Sequence, residues 1–364
     1  MHTKTLTLLA FILLFIIACE EPFPDAETDS VSLINISGNI TNAPDGPPIR
    51  VFRSYVNTSS SRSSVIPVLN ARVEVLENES NAILFETRSS DPGLYYPPEG
   101  FMATPDTPYQ LKITMPDGSV YLSSSETMPD SKATLKDIHQ IFEVSDAPRY
   151  SKDFFVGHSV YLDFEDPVGK GDFYFMSYRL FQEQLYCYDA PIGIEIIPCE
   201  YNCWDILASN NLNIITDEFY DGSVIENRLL GKIPYYEAAS AMLEINLESI
   251  PKEAYEYFKL ILEQTEKTGT LADTPPSSFQ GNIQSTSSDA LKATGYFFVS
   301  NMEQSDYWLD RSEVDPSQIT PINVFERLSK NVQSALALCQ NSYSRTNRLP
   351  DLWKNPINKG FQPN

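Results

Sequence analysis

Apolar side chains recur at alternate positions along much of this chain, a period that suits half-buried strands and not an amphipathic helix. The pattern starts with Val31, Leu33, Ile34, Ile36 and Ile40. It resumes at Val51, Phe52 and Tyr55, and again at Val65, Val68, Ala71, Val73, Val75 and Leu76. Between the runs stand Ser90-Asp91-Pro92-Gly93 and Pro116-Asp117-Gly118, where proline presets φ and glycine accepts φ > 0, as tight turns require. With 26 Pro, 20 Tyr and 20 Phe but only 15 Gly, the composition suits short aromatic strands broken by proline turns. The expected fold is mainly β. Residues 31–129 are predicted to form an immunoglobulin- or transthyretin-like β-sandwich. Pro129-Asp130 then marks the start of a larger β-rich domain over 130–340.

That second domain is expected to contain strands near Ile138–Val144, Val156–Phe164, Phe173–Leu185 and Met242–Leu247. One amphipathic helix is predicted over about 251–268: Pro251 sits near its start, Ala254, Tyr257, Phe258, Ile261 and Leu262 share one face, and Gly269 ends it. Residues 322–338, after Thr320-Pro321, suit helix or strand. Residues 341–364 read as a polar C-terminal tail.

The beginning of the chain has a different character. Lys4 precedes an apolar run from Leu6 to Ala18, which ends at Cys19. This pattern is expected of an export signal over 1–18 that is cut before a lipid-modified cysteine. About a dozen apolar residues fall short of the ~20 needed to span a bilayer. Residues 19–30, acidic and proline-bearing, then form a flexible tether. The expected location is a membrane outside the cytoplasm, with the lipid on Cys19 as anchor and no other cofactor.

The chain has 49 acidic against 26 basic residues, a formal charge of −23. Such a field repels phosphate backbones, so a nucleic-acid partner is excluded. With Cys19 assigned to lipid, Cys187, Cys199, Cys203 and Cys339 form an even set, which in an exported chain predicts two disulfides of undetermined pairing. A zinc site has neither a CxxC pair nor a nearby histidine. Tyr186, Tyr188, Tyr201 and Trp204 lie close to three of these cysteines, as core or as rigidly presented contacts for a small-molecule or peptide ligand.

Catalytic material is sparse. The chain carries no HExxH, GxSxG or GxxxxGK string, and only His139 and His158 remain once the leader is removed. Asp163, Glu165, Asp166 and Asp172 make the densest acidic group, a weak candidate for Ca²⁺ that reads first as a solvated turn. A non-enzymatic binding component is the leading expectation. A structural, assembly or adhesion module of the envelope is the alternative, and a carboxylate-dependent hydrolase is the remote one.

Four local patterns carry a resemblance. They are the Cys19-Glu-Glu-Pro-Phe start, the segment from Asp163-Phe-Glu-Asp166-Pro-Val-Gly to Tyr174, the Cys203-Trp204 pair, and Gly281-Asn282-Ile283 followed by Gly295-Tyr296-Phe297. In this order they resemble the DUF4249 family of Bacteroidetes lipoproteins. The resemblance implies an outer-membrane, surface-exposed lipoprotein whose partner is a TonB-dependent receptor, with no established catalytic residue. The family's closely spaced C-terminal cysteines are represented here by Cys339 alone, ahead of Trp353.

Overall fold

The computed structural model describes residues 31–44, 46–57, 62–148, 151, 154–183, 186–189, 195–198, 203–265, 281–315, 319, 341–348 and 353. The predicted segments 1–18, 19–30 and 322–338 lie outside them. The first part of the chain forms β1 (Val31–Thr41), β2 (Ile49–Asn57), β3 (Arg62–Pro67), β4 (Arg72–Glu77), β5 (Asn81–Thr87), β6 (Leu94–Tyr96), β7 (Tyr109–Thr114) and β8 (Val120–Glu126). Next come β9 (Thr134–Val144), β10 (Val156–Glu165), β11 (Phe173–Glu183), β12 (Tyr186–Asp189), β13 (Glu195–Pro198), β14 (Trp204–Ala208), β15 (Asn213–Thr216), β16 (Val224–Pro234) and β17 (Ala241–Ser249). The helix α1 (Lys252–Thr265) follows, then β18 (Ile283–Ser285), β19 (Ala293–Thr294), β20 (Phe297–Leu309) and β21 (Arg345–Thr346). The fold is mainly β, as the alternation predicts.

Alternation decides what each strand buries. On β7, Tyr109, Leu111 and Ile113 turn inward while their neighbours are half-exposed. They share one core with Ile34, Ile36, Val51, Val73, Val75, Phe85 and Tyr121. Each such side chain contributes about 1.5–3 kcal/mol on burial. Ile283, Phe297 and Val299 belong to the same core, although they come from the far side of the predicted boundary at 130. Accordingly β18 pairs with β8 antiparallel, and β19 and β20 both pair with β1 in parallel.

A second core lies between two sheets. Val160, Leu162 and Phe164 of β10, with Ile225, Leu230 and Ile233 from β16, meet Tyr174, Met176 and Leu180 of β11 and Leu243, Ile245 and Leu247 of β17. The opposite face of β11 carries Phe173 and Phe175, which pack beside Tyr255, Tyr257 and Phe258 of α1. The helix occupies most of its predicted range and covers the outer face of the sheet. None of the helices among the described residues is long and apolar enough to cross a membrane.

The last segments belong to the fold too. Residues 341–364, read from sequence as a polar tail, supply β21, which pairs with β14. They also supply Trp353, whose ring meets Trp204 at 5.7 Å and Trp308 at 4.8 Å between centroids.

Two glycines and an asparagine fasten β18 to β20. A Cβ on Gly281 would lie 1.6 Å from the carbonyl oxygen of Gly295, and one on Gly295, whose φ is +109°, would lie 1.8 Å from that of Ile36. Only glycine tolerates such approaches. Asn282 then spans the gap, accepting from the Phe297 N–H at 2.9 Å and donating to the Phe297 carbonyl at 2.7 Å. The Gly281-Asn282-Ile283 and Gly295-Tyr296-Phe297 strings are therefore structural. Asn282→Ala leaves both Phe297 groups unpaired and should destabilise the chain by about 2–4 kcal/mol, read as a lower urea midpoint.

A buried carboxylate sits where the two cores meet. Glu248 accepts from Asn39 Nδ2 at 2.6 Å and from the Ser300 hydroxyl at 2.7 Å. Burial raises its pKa to about 7, while those two bonds hold it down. The folded state thus keeps a proton that the unfolded chain releases near pH 4.5. This contribution to stability is complete below pH 4.5 and is lost as pH rises through about 7. Urea midpoints at pH 5 and pH 8 should differ less in Glu248→Gln than in the parent chain.

Candidate functional site

Two loops meet because of strand register. The β10–β16 pairing ends at Glu165 opposite Val224, and the β11–β15 pairing ends at Phe173 opposite Thr216. Residues 166–172 and 217–223 must therefore leave the sheets side by side. Backbone bonds join them: the Asp166 N–H donates to the Ser223 carbonyl at 3.0 Å, and the Asp217 N–H to the Asp172 carbonyl at 3.0 Å.

Acidic side chains complete the junction. Asp166 accepts from the Tyr174 hydroxyl and from the Gly222 N–H, the latter at 2.8 Å. Asp221 accepts from the Gly169 N–H and Asp217 from the Gly171 N–H, both at 2.9 Å. Asp166, Asp217 and Asp221 each bring a carboxylate oxygen within 4.8 Å of the others. Burial raises the pKa of Asp166 against the pull of its two donors, and burial with the neighbouring carboxylates raises that of Asp172. The direction in both cases is toward protonation.

Chemically, three converging carboxylates offer the oxygen ligands that hard divalent cations prefer. Their inner oxygens already accept N–H bonds from the opposite loop, so the arrangement works as a clasp as it stands. Its tip is apolar. Val168 is 91% exposed and Phe219 82% exposed, flanking the acidic centre.

The acidic group anticipated from sequence is divided by the fold. Asp166 and Asp172 join the clasp. Asp163 instead accepts from the Asn227 N–H at 2.7 Å and stands near Asp137 and His139 on the β9–β10 face. Glu165 forms an exposed ion pair with Lys136. Asp217 and Asp221 complete the clasp from about 50 residues downstream, where the Asp221-Gly222 turn is the sole local signal.

The cysteine and aromatic candidates are only partly described. Cys203 is buried, and Trp204 is 1% exposed in a cluster with Phe181, Ile206, Met242, Trp308 and Trp353. Trp204 is thus part of a core and not presented to solvent. Tyr186, Cys187 and Tyr188 lie on β12, paired to β13. Their side chains, along with Cys199, Tyr201, Cys339 and Cys19, lie outside the described residues.

Asp166→Ala would leave the Tyr174 hydroxyl and the Gly222 N–H without their acceptor. A loss of about 2–4 kcal/mol is expected, and proteolysis should cut between 217 and 223 sooner than in the parent chain.

No curated protein and no solved structure matches the chain. A family model does match, over residues 20–306, the greater part of the sequence. The chain therefore belongs to the family described as Domain of unknown function (DUF4249).

Proposed function

We propose that the chain is a non-enzymatic lipoprotein, held in the outer membrane by lipid on Cys19 and exposed at the cell surface. It works there as an accessory binding component of a TonB-dependent receptor in nutrient capture or uptake. The observation that carries this reading is a coincidence of position. The family match starts at residue 20, directly after the cysteine that ends the leader-like run. A shared region that begins there is what cleavage before Cys19 would leave. The acidic, proline-bearing stretch that follows suits a tether between lipid and the first strand at Val31.

The cysteines fit export. The even set Cys187, Cys199, Cys203 and Cys339, with Cys203 buried, suits disulfides in an oxidising compartment. A second reading, an assembly or adhesion module of the envelope, draws on the exposed Val168 and Phe219 at the clasp tip, a feature suited to protein contact.

Cys19→Ser tests the anchor. The parent chain should fractionate with outer membranes and the variant should be released; unchanged membrane fractionation of the variant removes the anchor and all that rests on it. Affinity purification from solubilised membranes tests the role. A co-purifying TonB-dependent receptor supports uptake, whereas envelope proteins without one transfer the weight to the assembly reading.

A further inference from the structure

Strand β10 is paired out of step on both sides at one residue, Asp163. On one side it lies opposite Asp137 of β9, but the next pair, Phe164 with Leu135, skips Lys136. On the other side Leu162 pairs with Arg228 and Phe164 with Ile225, so two residues of β16 oppose Asp163 alone. One of the two, Asn227, has φ +54°, a left-handed conformation that asparagine accepts more readily than most residues. Bulges re-aim side chains, and they are over-represented beside functional sites.

The side chains gathered here lie on the face of the sheet turned away from the second core. Ile138, Leu162 and Phe164 point into that core, so by alternation Asp137, His139, Tyr161 and Asp163 point out. A ring nitrogen of His139 and one carboxylate oxygen each from Asp137 and Asp163 stand within 4.8 Å of one another. The imidazole is held in place. It stacks on Tyr161, directly opposite on β10, with centroids 5.4 Å apart and planes 14° from parallel. Its Nε2 meets Asn227 Oδ1 at 3.1 Å. Asp163 is held as well, accepting the Asn227 N–H at 2.7 Å.

Like charges directly opposite one another on neighbouring strands are destabilising, and Asp137 faces Asp163 in that manner. A divalent cation between them reverses the sign of the interaction. The imidazole then selects the kind of cation: Ca²⁺ and Mg²⁺ prefer oxygen ligands, whereas one ring nitrogen with two carboxylates suits a first-row transition dication. The spacing agrees. Two ligands at right angles on bonds of about 2.1 Å stand about 3 Å apart, close to the separation of His139 Nε2 and Asn227 Oδ1. The clasp differs in offering oxygens alone, which already accept from N–H groups of the facing loop. Access is open from solvent, since Asp137 is exposed and His139 and Asp163 are half-buried.

We propose that Asp137, His139 and Asp163 bind a transition-metal dication of the Zn²⁺ class on the outer face of β9 and β10, with the Asn227 carboxamide as a fourth donor. Bound there, the ion ties β9, β10 and β16 together at the bulges. The site is separate from the Cys19 anchor and from the clasp, so its failure leaves the uptake reading standing.

Titration of the untagged, metal-stripped full chain with Zn²⁺ tests the assignment, read by calorimetry and by thermal unfolding. One equivalent should bind and raise Tm in a saturating manner, and an excess of Ca²⁺ or Mg²⁺ should not displace it. His139→Gln and Asp137→Asn should each weaken Zn²⁺ about tenfold or more, with unchanged circular dichroism. Asp137→Asn is isosteric and exposed, so it carries the test if the histidine variant misfolds. Co²⁺ in place of Zn²⁺ distinguishes the ligands: visible d–d bands lost in His139→Gln support the site, whereas a thiolate-to-metal charge-transfer band places the ion on cysteine and overturns it. Zn²⁺ affinity that survives Asp137→Asn or a folded His139→Gln, or that Ca²⁺ competes away, overturns the proposal equally.

Discussion

One strand ties the structure together. β20 lies parallel to β1 over its first residues and antiparallel to β17 along the rest, so the sheet runs without a break from the first part of the chain to the second. Its side chains obey the same alternation as any strand. On one face Phe297 and Val299 enter the first core and Leu309 enters the second; on the other, Phe298 reaches the helix side and Trp308 the tryptophan cluster. The pairing joins residues more than 250 positions apart. Such contacts carry a loop-closure cost that local hairpins avoid, and they form only once most of the chain is present. The Asn282 clamp and the Glu248 network both lie beside this strand, where a shift in register would disturb both cores together.

The polar interior follows two different rules. In the clasp, carboxylates are held by backbone N–H groups from the facing loop, so negative charge is stabilised by dipoles instead of cations. At Arg311, just past β20 and 1% exposed, a cation is instead held by neutral acceptors, Gln182 Oε1 and the backbone carbonyls of Glu237 and Ala239.

Much of the architecture could be read locally. The alternation over β1, β2, β4 and β7 marked strands, and Pro116-Asp117-Gly118 marked the hairpin between β7 and β8, where Gly118 has φ +88° and Asp117 accepts from the Ser119 N–H. The helix stripe was legible because 3.6-residue periodicity is also local. No local pattern signals that Ile283, Phe297 and Val299 enter the first core, or that Trp353 docks on Trp204 from a stretch that otherwise looks polar. Asp163 and Asp166 are three residues apart yet serve different clusters, since the sheet bends between them and Phe164 intervenes in the core. Nothing local marks Arg311 as buried, because an arginine followed by Ser312 and Glu313 looks like an ordinary solvated turn.

The sequence by itself determined the class of structure, the turns, the helix, the strongly acidic charge and the membership of a family. These depend on the direction of successive Cβ atoms, on φ preferences and on net charge, all properties of neighbouring residues or of the sum. Tertiary structure alone decided which strands share a core, which carboxylates face one another and which charged side chains are buried. These are matters of register between segments far apart in the chain, and register follows from how all the buried side chains fit at once.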